Sequence, residues 1–340
     1  MLIEKRAEVR SRVLRVMTDD GVLLAVHDRG PQTAPRTVVF LHGFCLTHAS
    51  WADQIASLSG RYRSSVRVIS YDHRGHGRSG AAPTSTYRIE RLAEDLSQIL
   101  AAARVRGQVT LVGHSMGGMT ALAYMGRRDR PVEPHGLVLV ATAAGKLGER
   151  GLGRLLATPL AAALPGLVEH APDRVVRALA GLVCATLERW RGRAHSTRLA
   201  AVVVTALTTT PVRTAVGFLP SLRAHDQYAA LAGIQARTIV VSGGMDPLVP
   251  PVHGRDLAAG IRGARHVHVP RAGHMLPQEA PYVLNDAICR AMATEHCGEG
   301  SDEGQGPAAG RQAVPARRLA TAIESSRAKS VIGEGLSAWR

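Results

Sequence analysis

The sequence predicts an α/β fold: a mostly parallel central sheet with helices on both faces, entered through antiparallel strands and interrupted by a helical insertion. Three observations carry that expectation. Five continuous apolar, β-branched runs have the character of strands buried on both faces: "TVVFLHGF", "VRVISYD" (66–72), "VTLVGHS" (109–115), "GLVLVATAAG" (136–145) and "RTIVVSGGMD" (237–246). Helical patterns alternate with them. Between residues 146 and about 232 the strand signals vanish and leucine- and alanine-rich stretches such as "RVVRALAGLVCATLERW" take over.

The chain opens with two short apolar runs about Asp20-Gly21, a hairpin signal. After the first buried run, "SWADQIASL" offers Ser50 as a helix N-cap with Asp53 three residues on, a capping box. "IERLAEDLSQILAAA" repeats Ile89, Leu92, Leu96, Ile99 and Leu100 at helical spacing, with acids near its start that suit the helix dipole. A sixth run, "RHVHVPRAGH", is a weaker strand because histidine and proline interrupt it. The expected organisation is a core of residues 1–145 and 233–296, with 146–232 as a helical cap over the site. From 297 to 340 the chain, with its Gly-, Pro- and polar-rich "GEGSDEGQGPAAGRQAVPARR", reads as a disordered basic tail. Leu319, Ile323 and Val331 are spaced too loosely to favour a helix there.

Composition bounds the function. With 340 residues, 45 % of them hydrophobic, the chain can bury a full core. No stretch approaches the ~20 consecutive apolar residues of a membrane span, and "MLIEKRAEVRSRVLRV" breaks its apolar residues with charges, so a cytoplasmic protein is expected. Cys45, Cys184, Cys289 and Cys297 form no CxxC pair, which suits a reducing compartment and argues against a thiolate metal site. The net charge of +15 raises nucleic acid as a partner. The basic residues are nearly all arginine and scattered, and aromatics make up only 4 %, so a solvated basic surface is the favoured reading. The tail is the one segment suited to weak contact with an anionic membrane. Nothing in the sequence sets the oligomeric state.

The chemistry rests on four separated segments. Gly113-His114-Ser115-Met116-Gly117 is a G-x-S-x-G turn between a buried strand and an apolar helical stretch. Alone the pentapeptide is weak, since glycine-serine turns are common. In that context the sharp bend projects the Ser115 hydroxyl, and the helix N-terminus supplies N–H groups and positive potential. A hydroxyl needs a base and the base an orienting acid. Asp246 and His274 each end a predicted strand, at the same edge of the sheet as Ser115 and in the chain order Ser, Asp, His. The alternative acid position after "GLVLVATAAG" holds no Asp or Glu. For the oxyanion hole, the backbone amides of Phe44 in "LHGF" and of Met116 are assigned by position.

These segments resemble the α/β-hydrolase superfamily, specifically its branch of serine esterases, haloperoxidase-like enzymes and ring-cleavage hydrolases. The matching motifs are "LHGF" (41–44), "YDHRGHGRSG" (71–80), "GHSMGG" (113–118), "GMDPLVP" (244–250) and "AGHMLPQEAP" (272–281), over about residues 13–293. The resemblance implies Ser115 as nucleophile, His274 as base, Asp246 as its partner, a cap domain, and no cofactor. A serine at the elbow argues against epoxide hydrolases and haloalkane dehalogenases, which carry aspartate there. "HGFCLT" departs from the H-G-x-G-P-G of carbon-carbon hydrolases, which weakens that alternative. Ester hydrolysis of a small hydrophobic substrate leads. A carbon-carbon hydrolase and a non-catalytic ligand-binding protein on the same fold are the rivals.

Other residues have plainer roles. Asp72, Arg74 and His76 are expected to stabilise loops, and His42 and His114 to brace them. Cys45 is a small buried thiol by default. His266 and His268 alternate along a strand without further ligands, so no metal is predicted.

Overall fold

The computed structural model describes residues 11–172, 174 and 210–293. In chain order its elements are β1 (Ser11–Met17), β2 (Leu23–Arg29), β3 (Arg36–Leu41), α1 (Ala52–Tyr62), β4 (Val66–Tyr71), α2 (Ile89–Ala102), β5 (Gln108–His114), α3 (Met116–Gly126) and β6 (Gly136–Val140). There follow α4 (Pro159–His170), α5 (Val212–Ala224), α6 (Tyr228–Leu231), β7 (Arg237–Gly243), α7 (Pro251–Gly260), β8 (Arg265–Val269), α8 (Leu276–Glu279) and α9 (Pro281–Ala291). The eight strands form one sheet in the order β1-β2-β4-β3-β5-β6-β7-β8. β1 pairs with β2 and β2 with β4 in antiparallel fashion, and every other pairing is parallel. The hairpin expected at Asp20-Gly21 is β1-β2, with Gly21 at φ 81°.

Apolar side chains divide between the two faces. One core gathers Leu92, Leu96 and Ile99 of α2, Leu122 of α3 and Leu257 of α7; the other gathers Leu58 of α1 with Leu284 and Ile288 of α9. Burying each such side chain contributes about 1.5–3 kcal/mol, which is why α2 forms without any side-chain N-cap. Its first amide, Ile89 N–H, instead donates to Ser221 Oγ of α5 at 2.8 Å. The capping box expected at Ser50 is not formed. A short 3-10 turn, His48–Trp51, is capped by Thr47, and α1 starts one residue later, because Trp51 turns into the core against Phe40 with ring centroids 5.0 Å apart. Ser50 Oγ donates back to Thr47 O.

Charge is used inside as well as outside. Arg67, fully buried on β4, makes two hydrogen bonds to Asp28 of β2 at 2.9 and 2.8 Å. Arg74 reaches both Asp95 of α2 and Asp20 in the hairpin turn, so the loop after β4 ties the antiparallel edge to the helix layer. Neither pair is readable from sequence spacing.

Between β6 and β7 the described residues are helical: 3-10 turns at Leu147–Glu149 and Gly151–Ala157, then α4, α5 and α6. Arg213 of α5 donates to the carbonyls of Val168 and Ala171 at 2.6 Å each, closing the C-terminal end of α4. The rest of the expected 146–232 insertion lies outside the described residues, as does the whole 297–340 tail. Among the described residues no single helix is long and apolar enough to cross a membrane.

Candidate active site

The C-terminal ends of β3, β5, β6, β7 and β8 bring the expected residues to one edge. Ser115 follows β5 with φ 51° and ψ −118°, a backbone region that costs a side-chain-bearing residue roughly 1–3 kcal/mol. Cys45, beside Phe44, has φ 57°, and Ala141, at the end of β6, has φ 45°. Three of the six non-glycine residues with positive φ among the described residues thus lie at this sheet edge, so part of the strain is held here. It is held by hydrogen bonds: Ser115 N–H donates to Val140 O at 2.9 Å, and Thr142 Oγ1 donates to Ser115 O at 2.7 Å.

Glycine is required here for close approach. A Cβ on Gly117 would lie 2.2 Å from Leu41 O, and one on Gly113 would lie 2.5 Å from Gly117 O. The elbow therefore presses against the end of β3, which carries the "HGF" segment. That contact brings the N-terminus of α3, with the Met116 amide, against the segment that carries the Phe44 amide. Neither amide donates to another described residue, whereas the Cys45 amide is taken by His76 Nε2 at 3.2 Å.

Asp246 and His274 are joined directly, His274 Nδ1 lying 2.7 Å from Asp246 Oδ2. Both sit in loops beyond β7 and β8, where the sequence placed them as strand ends. The Leu248 and Val249 amides, each at 2.9 Å, fix Asp246 Oδ1, so the carboxylate presents its other oxygen to the imidazole. Ser115 keeps 9 % of its surface open, and its Oγ makes no hydrogen bond to a described residue.

Two contacts support His274, and the sequence missed the first. Glu279 accepts the amides on either side of His274, from Gly273 at 2.8 Å and Met275 at 3.2 Å. Its place within "HMLPQE" was the available signal. The second is His114, next to Ser115, whose Nε2 lies 2.9 Å from the His274 carbonyl oxygen. Burial, with the nearby His274, holds the His114 imidazole down to about 3, so it is neutral and its single N–H must be on Nε2 to make that bond. Its Nδ1 faces Gly43, where a Cβ would fall 2.7 Å away. His114 thus ties the elbow to the backbone of the base. His114→Ala is expected to lower kcat by ~10- to ~100-fold with KM little changed, because it loosens an alignment and not a substrate contact. His114→Gln, which can still donate, should recover part of the loss; equal losses in both variants would argue against a positioning role.

The bracing roles expected for the remaining loop residues match their contacts. Asp72 accepts the amides of His48 and Arg78 at 2.8 Å each, and His73 N–H donates to His42 Nε2 at 2.9 Å. Burial pushes the Cys45 thiol up to about 12, so it stays protonated as packing. His266 Nε2 lies 2.7 Å from Ser242 Oγ.

These histidines make stability depend on pH. Burial first, in every case, holds His42 and His114 at about 3 and His76 and His225 at about 4, against an unfolded value near 6.5. Above pH ~6.5 both states leave them neutral and they contribute no pH dependence; below it the unfolded chain takes up protons the folded chain refuses. Each then costs up to about 1.4 kcal/mol per pH unit until its folded value is reached. A thermal-unfolding series should show a flat Tm above neutrality and a steep fall between pH 6.5 and 4.5. A flat Tm across that window would show that these rings are not held neutral.

A family model described as "alpha/beta hydrolase fold" matches residues 36–281. The chain is 27 % identical over 274 residues to the 3-oxoadipate enol-lactonase 1 of Acinetobacter baylyi, covering 79 % of this chain and 92 % of that protein. It is similar in structure to the enol-lactonase from Burkholderia xenovorans LB400, with a TM-score of 0.62 and 25 % identity over 82 % of this chain and 99 % of that one. A hydrolase from Pseudomonas aeruginosa aligns with a TM-score of 0.64 at 26 % identity, over 83 % and 98 % of the two chains.

Proposed function

The chain belongs to the α/β-hydrolase fold family, and on that premise we propose that it hydrolyses carboxylic esters, cyclic esters among them, through an acyl-enzyme on Ser115. The observation that carries this is the 2.7 Å Asp246–His274 bond beside a strained serine with no competing hydrogen bond. His274 Nε2 takes the Ser115 proton as Oγ attacks the acyl carbon. Asp246 holds the imidazole by Nδ1 and stabilises its cation. The Phe44 and Met116 amides receive the oxyanion. The alkoxide leaves with the proton from His274, and a water activated by the same imidazole cleaves the acyl-enzyme to the acid and restores Ser115. For a lactone the leaving alkoxide stays attached, so one hydroxy acid is the product.

Support for the cyclic esters comes from the enol-lactonases among the relatives. Aromatic rings stand beside Phe44: the fully buried Phe218 of α5 edge-on at 6.5 Å and the buried His76 edge-on at 6.4 Å. That favours a hydrophobic acyl or alcohol group.

Covalent labelling of the purified protein with a fluorophosphonate, read as intact mass, is the direct test. One adduct mapping to Ser115 is expected, followed by turnover of a panel of linear esters and lactones that improves from acetyl toward longer or aromatic groups. A folded protein that takes no label would point to a non-catalytic ligand-binding role. Labelling at Ser115 with turnover only of a vinylogous diketone would point to carbon-carbon cleavage.

A further inference from the structure

Beside the antiparallel strands, three segments that no spacing rule joins bring two imidazoles and a carboxylate together. His27 of β2 and His48 of the 3-10 turn after the "HGF" segment stack with ring centroids 3.6 Å apart and planes 16° from parallel. His48 Nδ1 lies 2.9 Å from Asp72 Oδ1. One nitrogen or oxygen from each of His27, His48 and Asp72 lies within 4.8 Å of the other two. His27 Nε2 is buried and has no hydrogen-bond partner. A buried polar atom left unpaired is costly and points to a missing ligand. Beside the cluster opens a cavity of about 360 Å³, lined by His27, Arg29, His48, Ile55, Val68 and Ser70, through which an ion and its water could enter.

We propose that His27, His48 and Asp72 form a binding site for a divalent transition metal of the zinc class. Two imidazoles and one carboxylate are the donor set of that class and not of calcium or magnesium, which prefer all-oxygen shells. The protonation states suit it. Burial, then the neighbouring His48, lowers the His27 pKa and keeps a lone pair available. Burial alone would raise Asp72, but hydrogen bonds from His48 and the Arg78 amide outweigh it and hold the carboxylate well below the usual range. Arg29 and Arg78 oppose a cation, so the affinity should be micromolar and salt-dependent, unlike that of a closed structural zinc site. Parallel rings aim their lone pairs side by side, so binding must tilt His48, the ring on the short turn with 26 % of its side chain exposed. Asp72 also holds the His48 and Arg78 amides. An ion there would therefore stiffen the loop that begins at Phe44 without touching the reacting atoms.

The site stands independently of the esterase reading. The test is calorimetric titration of the chelator-stripped full chain with Zn²⁺, repeated with Co²⁺ to read visible absorption from nitrogen ligation, and with thermal unfolding alongside. Expected are one ion per chain and a raised Tm. His27→Ala should weaken binding by at least ~10-fold, while His268→Ala should leave it unchanged. Circular dichroism and a cooperative thermal transition should show that His27→Ala is folded; if it does not fold, His48→Gln takes its place. No saturable binding up to millimolar metal, or binding that survives His27→Ala and is lost in His268→Ala, would overturn the proposal.

Discussion

Ser115→Ala should lose on the order of 10⁵-fold in kcat on an ester that the wild type turns over, and should take no fluorophosphonate label. The loss should be clean because Ser115 Oγ supports nothing else: its backbone, not its hydroxyl, carries the bonds to Val140 and Thr142. Alanine at φ 51° bears much the same strain as serine, so Tm should change little. His274→Ala should be nearly as severe, and the double variant no worse than either single one, since nucleophile and base act as a unit. Asp246→Asn should cost less than a serine or histidine deletion but still on the order of 10⁴-fold, because it lets the imidazole settle in the wrong tautomer. Steady-state kinetics with circular dichroism on the same samples check all four. Activity of Ser115→Ala within tenfold of wild type would sink the acyl-enzyme mechanism.

Gly117→Ala should be the second large effect, acting through the backbone. Its new methyl would lie 2.2 Å from Leu41 O and 2.7 Å from His42 O, groups that cannot swing aside as a flexible side chain does. Either α3 retreats from the end of β3 or the "HGF" segment moves. Both separate the Met116 and Phe44 amides. Losing one oxyanion donor costs about 3–4 kcal/mol of transition-state stabilisation, so kcat should fall by ~10²- to ~10³-fold in whatever protein folds, with a lowered Tm. Gly60→Ala is the control. Gly60 lies in α1 with nothing within 4 Å of a new Cβ, so the change should stabilise by about 0.5–1 kcal/mol and leave activity alone. An active, stable Gly117→Ala enzyme would mean that the elbow does not need its close contact with β3.

The contrast between these two glycines shows how far a chain can be read without its fold. "GHSMGG" announces a tight turn, and the strand before it and the helix after it say which kind. It does not say that Gly117 meets Leu41 or that Gly60 meets nothing. The Asp20-Gly21 hairpin and α2 followed from local periodicity and came out as expected. Ser50 did not cap α1, because burial of Trp51 against Phe40 outweighed a cap worth about 1 kcal/mol. Asp246 and His274 were legible as a pair because strand order puts both at one sheet edge. The 2.7 Å bond between them was not.

By itself the sequence determined what depends on near neighbours along the chain: the alternation of strand and helix, the parallel sheet, the glycine-bounded serine, and an acid and a histidine in the right order. Only the tertiary structure decided what depends on residues far apart. His114 reaches the His274 carbonyl across 160 positions, Gln54 reaches Pro277 O across 223, and His27 stacks on His48 beside Asp72. The physical reason is register. Local pattern sets each side chain's face, but which distant side chain it meets is set by how eight strands align and by the close packing of the helices laid over them.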